Sequence, residues 1–265
     1  MYSQLSSRRA ESLFMNAEDR EQIDHAPHFN SIIKFLNRED VTPLLHELVG
    51  ITARSLQSVE TDFAIDSSGF RTTSFGEYCK TKHNTQKQHK WIKAHICVGV
   101  KTNIITSIEV TEENAGYSPQ FEPLIRETFQ NGFTIGEVSA DKAYSSRKNY
   151  ETIEALGGNG YIPFRKNATA RAGGSRIWKK MFHYFQLNQE EFYQHYHKRS
   201  NAESTFYMLK AKFGDKLKSK SFTAQRNELL CKAIAHNIVV VIHEMHELGI
   251  KPEFSSWNGE VAYAQ

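Results

Sequence analysis

Tyr196 to Phe213, YHKRSNAESTFYMLKAKF, is the stretch whose reading decides the fold. On a helix turning about 100° per residue, Tyr196, Arg199, Glu203 and Lys210 fall within about a 60° arc. Ala202, Phe206, Leu209 and Phe213 occupy a neighbouring arc, so one helix can bury an apolar stripe while presenting a carboxylate flanked by two cations. Such a face suits phosphate chemistry. The same letters also have a plain structural reading. Ser200-Asn201-Ala202-Glu203 fits the Ser-x-x-Glu capping box, in which Glu203 bonds back to the first turn. If Ser200 starts the helix, Tyr196 and Arg199 belong to the preceding turn and the shared face shrinks to Glu203 and Lys210.

Upstream, two strand-like segments run into aspartates. Asp62-Phe63-Ala64-Ile65-Asp66 alternates, with Phe63 and Ile65 on one side and Ala64 and Asp66 on the other, and Ser67-Ser68-Gly69 is expected to end it at Asp66. Gly136-Glu137-Val138-Ser139-Ala140 leads into Asp141, followed by Lys142, Ala143 and Tyr144 and a helix over about 146–156. An acid at a strand's end is commonly only a turn former. Between these segments, Lys90–Val100 and Thr102–Val110 predict a hairpin around Lys101-Thr102-Asn103. An amphipathic helix is expected over about 118–130, with Phe121, Leu124, Ile125 and Phe129 on one face. Gly157-Gly158-Asn159-Gly160 reads as a turn before a short strand, Tyr161–Phe164, rather than as a phosphate cradle, because no Gly-x-Gly-x-x-Gly opens a helix.

Residues 1–58 read as a helical region: Leu5–Met15, Phe29–Leu36, and Leu44–Ile51 with Thr42 as N-cap and Pro43 at the first helical position. Three such helices either pack together or form a helix-turn-helix-like unit with Ser31, Lys34, Asn37 and Arg38 toward DNA. Residues 59–250 read as one catalytic domain carrying a basic insertion at about 165–195. Its aromatics, Trp178, Phe182, Tyr184 and Phe185, are expected to pack under the loop more than to stack on bases. A long helix over about 223–248, with Leu229, Leu230, Ile234, Ile238, Val241 and Ile242 as core, precedes a tail at 251–265.

Composition narrows the class. A net charge of +3 is too mild to establish a nucleic-acid partner by itself. Between Arg165 and Lys220, however, there are 13 Lys or Arg against 4 Asp or Glu, which places the positive charge around the opening stretch. Cys79, Cys97 and Cys231 form no Cys-x-x-Cys pair and imply reduced thiols. Cys79, His83, His89, His95 and Cys97 match no common zinc spacing. With no signal-peptide run and no apolar segment long enough for a bilayer, the expectation is a cytoplasmic, nucleoid-associated protein.

Helices, three strands, helix, strand, helix, strand, insertion and two helices, with acids after the first and fourth strands and on a later helix, predict an α/β ribonuclease-H-like fold: a mixed sheet flanked by helices. At this point the chain resembles the DDE transposases of bacterial insertion sequences that carry a Tyr-x2-Arg-x3-Glu-x6-Lys signature, which Tyr196, Arg199, Glu203 and Lys210 match in every position. DFAIDSSGF is similar to that family's first-aspartate strand. SADKAYSS is similar to its Asp-Lys-Gly-Tyr segment, with Ala143 in place of the glycine.

The resemblance implies Asp66, Asp141 and Glu203 as catalytic and metal-binding residues, and two Mg²⁺ or Mn²⁺ ions as cofactors, with Asp66 bridging them. Oxygen ligands suit such hard ions, and a metal pair suits in-line phosphodiester displacement. Tyr196, Arg199, Lys210, Lys142 and Lys198 are the expected DNA-binding residues. Lys210, about 10 Å along the helix from Glu203, should meet a neighbouring phosphate. The implied partners are double-stranded DNA and a second copy of the chain when DNA is bound. A nuclease without strand transfer, or an inactive transposase-derived DNA-binding protein, stands as the alternative.

Overall fold

The computed structural model describes residues 6–72, 91–171 and 173–252. Leu5, Cys79, His83, His89 and most of the 251–265 tail therefore lie outside the described residues. Helices α1 (Ser7–Asp19), α2 (Phe29–Leu36) and α3 (Val41–Arg54) open the chain. Helix α3 starts one residue before Thr42, with Asp40 at the N-cap position. Thr42 is thus not the cap; it is buried and donates its hydroxyl to Asn227 Oδ1 at 2.7 Å. Of the four residues read as a DNA-facing set, Arg38 pairs with Asp40 and Asn37 accepts a bond from Ser221.

Strand β1 (Asp62–Arg71) is longer than its sequence predicts. Ser67-Ser68-Gly69 does not end it, because β2 (Trp91–Gly99) pairs with it from Phe63↔Gly99 to Arg71↔Trp91. A partner that satisfies every backbone group overrides a local preference for a turn. Asp66 is consequently in mid-strand. Strand β3 (Ile105–Glu112) completes the expected hairpin. Its turn places Asn103 at φ 62°, a left-handed conformation that asparagine tolerates better than most residues.

Strand β4 (Glu137–Ala140) runs parallel to β1 and stops at Ile65↔Ala140. Strand β5 (Asn159–Tyr161) lies parallel to β4, earlier than the expected Tyr161–Phe164, because its register is set by Glu137–Ser139. Ile162 and Phe164 enter the core just beyond it. The sheet order is β3-β2-β1-β4-β5.

The remaining helices are α4 (Ser118–Gln130), α5 (Arg147–Ala155), α6 (Arg176–Leu187), α7 (Gln189–Tyr196), α8 (Ser200–Phe213) and α9 (Phe222–Glu247), with a 3-10 turn, His197–Arg199, between α7 and α8. They cover both faces of the sheet. Phe63 and Ile65 pack with Phe121 and Leu124 of α4, Tyr150 of α5 and Trp178 of α6. Ala64 and Phe70, on the opposite face, pack with Val49 of α3, Phe206 and Leu209 of α8, and Leu229 of α9. Phe63 and Phe70 are fully buried on opposite faces, each contributing about 1.5–3 kcal/mol of transfer free energy. This five-stranded mixed sheet between helical layers is the ribonuclease-H-like fold.

The basic stretch is helical from Arg176 onward. Its aromatics pack, as expected: Trp178 stands edge-on to Phe164 at 4.7 Å and donates Nε1–H to Thr169 O at 2.9 Å, which pins the preceding loop. On α9, Ile238 and Ile242 are 45% and 51% exposed rather than core. Asn237 turns inward instead, accepting from Ile105 N at 2.9 Å and donating to Ile105 O at 2.8 Å. The open edge of β3 needs those partners, so the polar pairing sets the rotation of the helix. Among the described residues no helix is long and apolar enough to cross a membrane.

Candidate active site

Register builds the first half of the site. Asp62 pairs with Glu137 and Ile65 with Ala140 along parallel strands, so the next residue on each, Asp66 and Asp141, lies where the pairing ends. Parallel neighbours are about 4.8 Å apart, which sets the two aspartates on adjacent chain positions without any turn to join them. Asp66 points to the α8 face, as its alternation with Ile65 requires, and its Oδ1 accepts from Ser67 N at 2.8 Å. Asp141 Oδ1 accepts from Ala143 N at 2.8 Å, capping the 3-10 turn Lys142–Tyr144.

Glu203 comes from the first turn of α8, and here the helix departs from one of its two sequence readings. The chain from Tyr196 to Phe213 is not one straight helix: Tyr196 ends α7, Arg199 closes the 3-10 turn, and α8 begins at Ser200. Ser200 is nevertheless not a capping residue. Its backbone is already helical (φ −57°, ψ −21°), whereas a capping serine is extended. The capping box does not form, and Glu203 Oε1 instead accepts from Arg199 Nη2 at 2.5 Å. The apolar stripe holds: Ala202, Phe206, Leu209 and Phe213 are buried.

Arg199 is the centre of the arrangement. Its Nη1 donates to Asp66 Oδ2 at 2.6 Å, so one guanidinium spans the strand carboxylate and the helix carboxylate. Burial opposes the charge on Arg199, but Asp66, with Glu203, outweighs it and holds the group above its ordinary pKa. Asp66 is pushed above the usual carboxylate range, first by burial and further by the negative charges of Glu203 and Asp141, while Ser67 N–H and Arg199 pull it back. Tyr196, whose ring lies 5.8 Å from the Arg199 guanidinium, is raised by burial.

The structure therefore brings Asp66, Asp141, Glu203, Arg199 and Tyr196 into one electrostatic neighbourhood. Lys210 is further along the same face, donating to Ser68 Oγ at 2.6 Å and lying over the Phe70 ring at 5.1 Å. Burial lowers its pKa. Lys142 is exposed beside Asp141. Lys198 is elsewhere: its amine donates to Asp62 Oδ2 at 2.6 Å and Glu137 Oε2 at 2.7 Å, at the beginning of β1 and β4. Sequence reasoning missed this second cluster, which also holds His195 Nδ1, 2.8 Å from Glu137 and stacked on Tyr161 at 4.3 Å. The signal was present as a matched spacing: Asp62–Asp66 and Glu137–Asp141 carry acids four residues apart on both strands. Ser68, the partner of Lys210, carried no such signal.

From the sequence, the three carboxylates are expected close enough to share a pair of ions. Among the described residues no group of three or more His, Cys, Asp or Glu is gathered in that way. Arg199 stands between Asp66 and Glu203, relieving the repulsion between like charges that tighter approach would impose. The donor chemistry nonetheless fits a hard divalent ion: all the ligands are carboxylate oxygens, and a positive group already bridges two of them. His95 and Cys97 are occupied otherwise. His95 bonds Tyr144 and Thr111 at 3.0 and 3.1 Å and is lowered to about 4 by burial, and the buried Cys97 thiol is pushed up to about 11.

Comparison with known proteins places the chain in a family. Residues 57–238 match the family described as Transposase DDE domain. A protein of Archaeoglobus fulgidus described as a probable transposase for insertion sequence element ISA1214 is 22% identical over 213 residues, which cover 80% of this chain and 63% of that protein. The matched span includes Asp66, Asp141, Glu203 and the α7–α8 turn, and the chain belongs to the DDE transposase family.

Proposed function

We propose that this chain cuts the phosphodiester bond at a transposon end and directs the freed 3′-hydroxyl onto a target phosphodiester, by a DDE mechanism. The observation that carries this reading is the placement of Asp66 and Asp141 side by side where the β1–β4 pairing ends, with Glu203 joined to Asp66 through the Arg199 guanidinium. Two Mg²⁺ or Mn²⁺ ions held by Asp66, Asp141 and Glu203 would supply Lewis-acid stabilisation of the attacking and leaving oxygens. Arg199 is the counter-ion of the resting site. When DNA enters, its planar fork, which now gives one nitrogen to each carboxylate, can turn both to a phosphate.

Tyr196 is placed to donate its hydroxyl to a phosphate oxygen, and Lys210 to supply positive charge one strand step beyond Asp66. Lys142, exposed next to Asp141, meets the DNA from the other strand. Lys198 was expected on DNA, but with Asp62 and Glu137 on its amine it enters this reading as the anchor of the turn that aims Arg199. Joining two ends requires two active sites, so a homodimer on DNA is part of the proposal.

The test is joining of a labelled, pre-cleaved end to a plasmid target in Mg²⁺. Wild type joins, while Asp66→Asn and Glu203→Gln lose at least about a thousandfold, corresponding to about 4 kcal/mol of barrier. Full joining by either variant refutes the mechanism. Cutting without joining by wild type would reduce the protein to a nuclease.

A further inference from the structure

Beyond α8 the chain reads Lys216-Leu217-Lys218-Ser219-Lys220, an alternation with Leu217 buried and Lys218 and Lys220 exposed. A run of lysines is ordinarily a solvated face. Here the backbone beneath them is clamped. Lys216 bridges to Arg71 at the end of β1, with Leu217 N donating to Arg71 O at 2.8 Å. From α9, Glu228 accepts from Lys218 N and Ser219 N at 3.0 and 2.9 Å. One turn further, Lys232 donates to Gly214 O and Lys216 O at 3.0 and 3.2 Å. The side chains of Glu228 and Lys232 are only 5% and 2% exposed.

Burying such a pair is costly unless its hydrogen bonds are met, and here they are met by the backbone of the lysine segment. The neighbouring acid is also occupied, since Asp215 pairs with Arg71 at 2.7 Å. The fold thus holds three ammonium-bearing positions rigidly along one wall of a cavity of about 570 Å³, whose other wall is α1 and α2. Arg71 lies five residue steps beyond Asp66 on β1, about 17 Å at roughly 3.3 Å per residue. Duplex DNA advances about 3.4 Å per nucleotide along each strand.

We propose that Lys216–Lys220 is a second, sequence-independent contact for duplex DNA, meeting backbone phosphates about five nucleotides from the bond cut at Asp66. The inference rests on the transposase reading and adds where the DNA leaves the site. It predicts that the Lys216→Gln/Lys220→Gln double variant of the full chain melts like wild type. Its slope of log affinity against log salt should be shallower by about two, one released counterion per lost phosphate contact. Ethylation interference should disappear at phosphates about five nucleotides from the cut, and a duplex ending three nucleotides from it should bind both proteins equally. Lys216→Arg/Lys220→Arg should restore the slope. An unchanged slope while wild type still cuts, or interference lost next to the cut instead, overturns this proposal alone. Failure of wild type to cut DNA overturns the functional reading and this proposal with it.

Discussion

Lys198 and Arg199 are neighbours in the chain, and each bridges two carboxylates, yet the two clusters are built for different ends. Lys198 joins Asp62 and Glu137, side chains that are 25% and 24% exposed and that already face each other across paired strands. His195 adds a further partner, so that cluster is closed. Arg199 joins Asp66, 16% exposed, to Glu203, 56% exposed, across the gap between a strand and a helix. One of its partners can move into solvent without breaking the sheet. A closed cluster holds a turn in place, whereas an open one can release its cation to an incoming phosphate.

The sharpest way to break this comparison is to remove each cation in turn. Arg199→Gln should lower joining about a hundredfold, the worth of two charge-assisted bonds, with little loss of stability. Lys198→Met should cost about 1–2 kcal/mol in urea unfolding, since it strands two half-buried acids, yet retain most activity well below its melting temperature. Equal losses of activity in both variants would erase the distinction.

A finer test uses metal without DNA. If Arg199 competes for Asp66 and Glu203, Mn²⁺ should raise the melting temperature of Arg199→Gln by about 2–4 °C more than that of wild type. Lys198→Gln should show no such gain. A wild-type shift as large as that of Arg199→Gln would mean the guanidinium is no barrier to the ion.

The smallest effect concerns a carboxylate pair with no such bridge. Burial, with Glu109 nearby, raises Glu127 to about 7. A folded pKa above the ordinary one means that this stabilisation is complete below about pH 4.5 and is lost as pH rises through about 7. The melting temperature of wild type should therefore fall between pH 5 and 8 relative to Glu127→Gln. A flat difference would show that the acids are relieved by some other partner, such as Arg226 across the same cavity.

Much of this was legible in the residues. The amphipathic helix over 118–130, the hairpin and the opposite faces of Ile65 and Asp66 follow from periodicity, because side-chain direction alternates in strands and repeats every 3.6 residues in helices. The length of β1 was not legible: Ser67-Ser68-Gly69 favours a turn locally, and only pairing with β2 carries the strand through it. The rotation of α9 was likewise hidden, because it follows from Asn237 serving the edge of β3.

For the site, the sequence by itself determined which side chains are available: one acid within a strand and one just after another, an acid on a helix, and Tyr196, Arg199 and Lys210 at signature spacing. Only the tertiary structure decided their partners. Whether Glu203 caps its own helix or meets Arg199, and whether Lys198 or Arg199 faces Asp66, depends on the path of the turn between α7 and α8. That path is set by Asp62 and Glu137, more than 60 residues away, whose attraction for Lys198 no local pattern encodes.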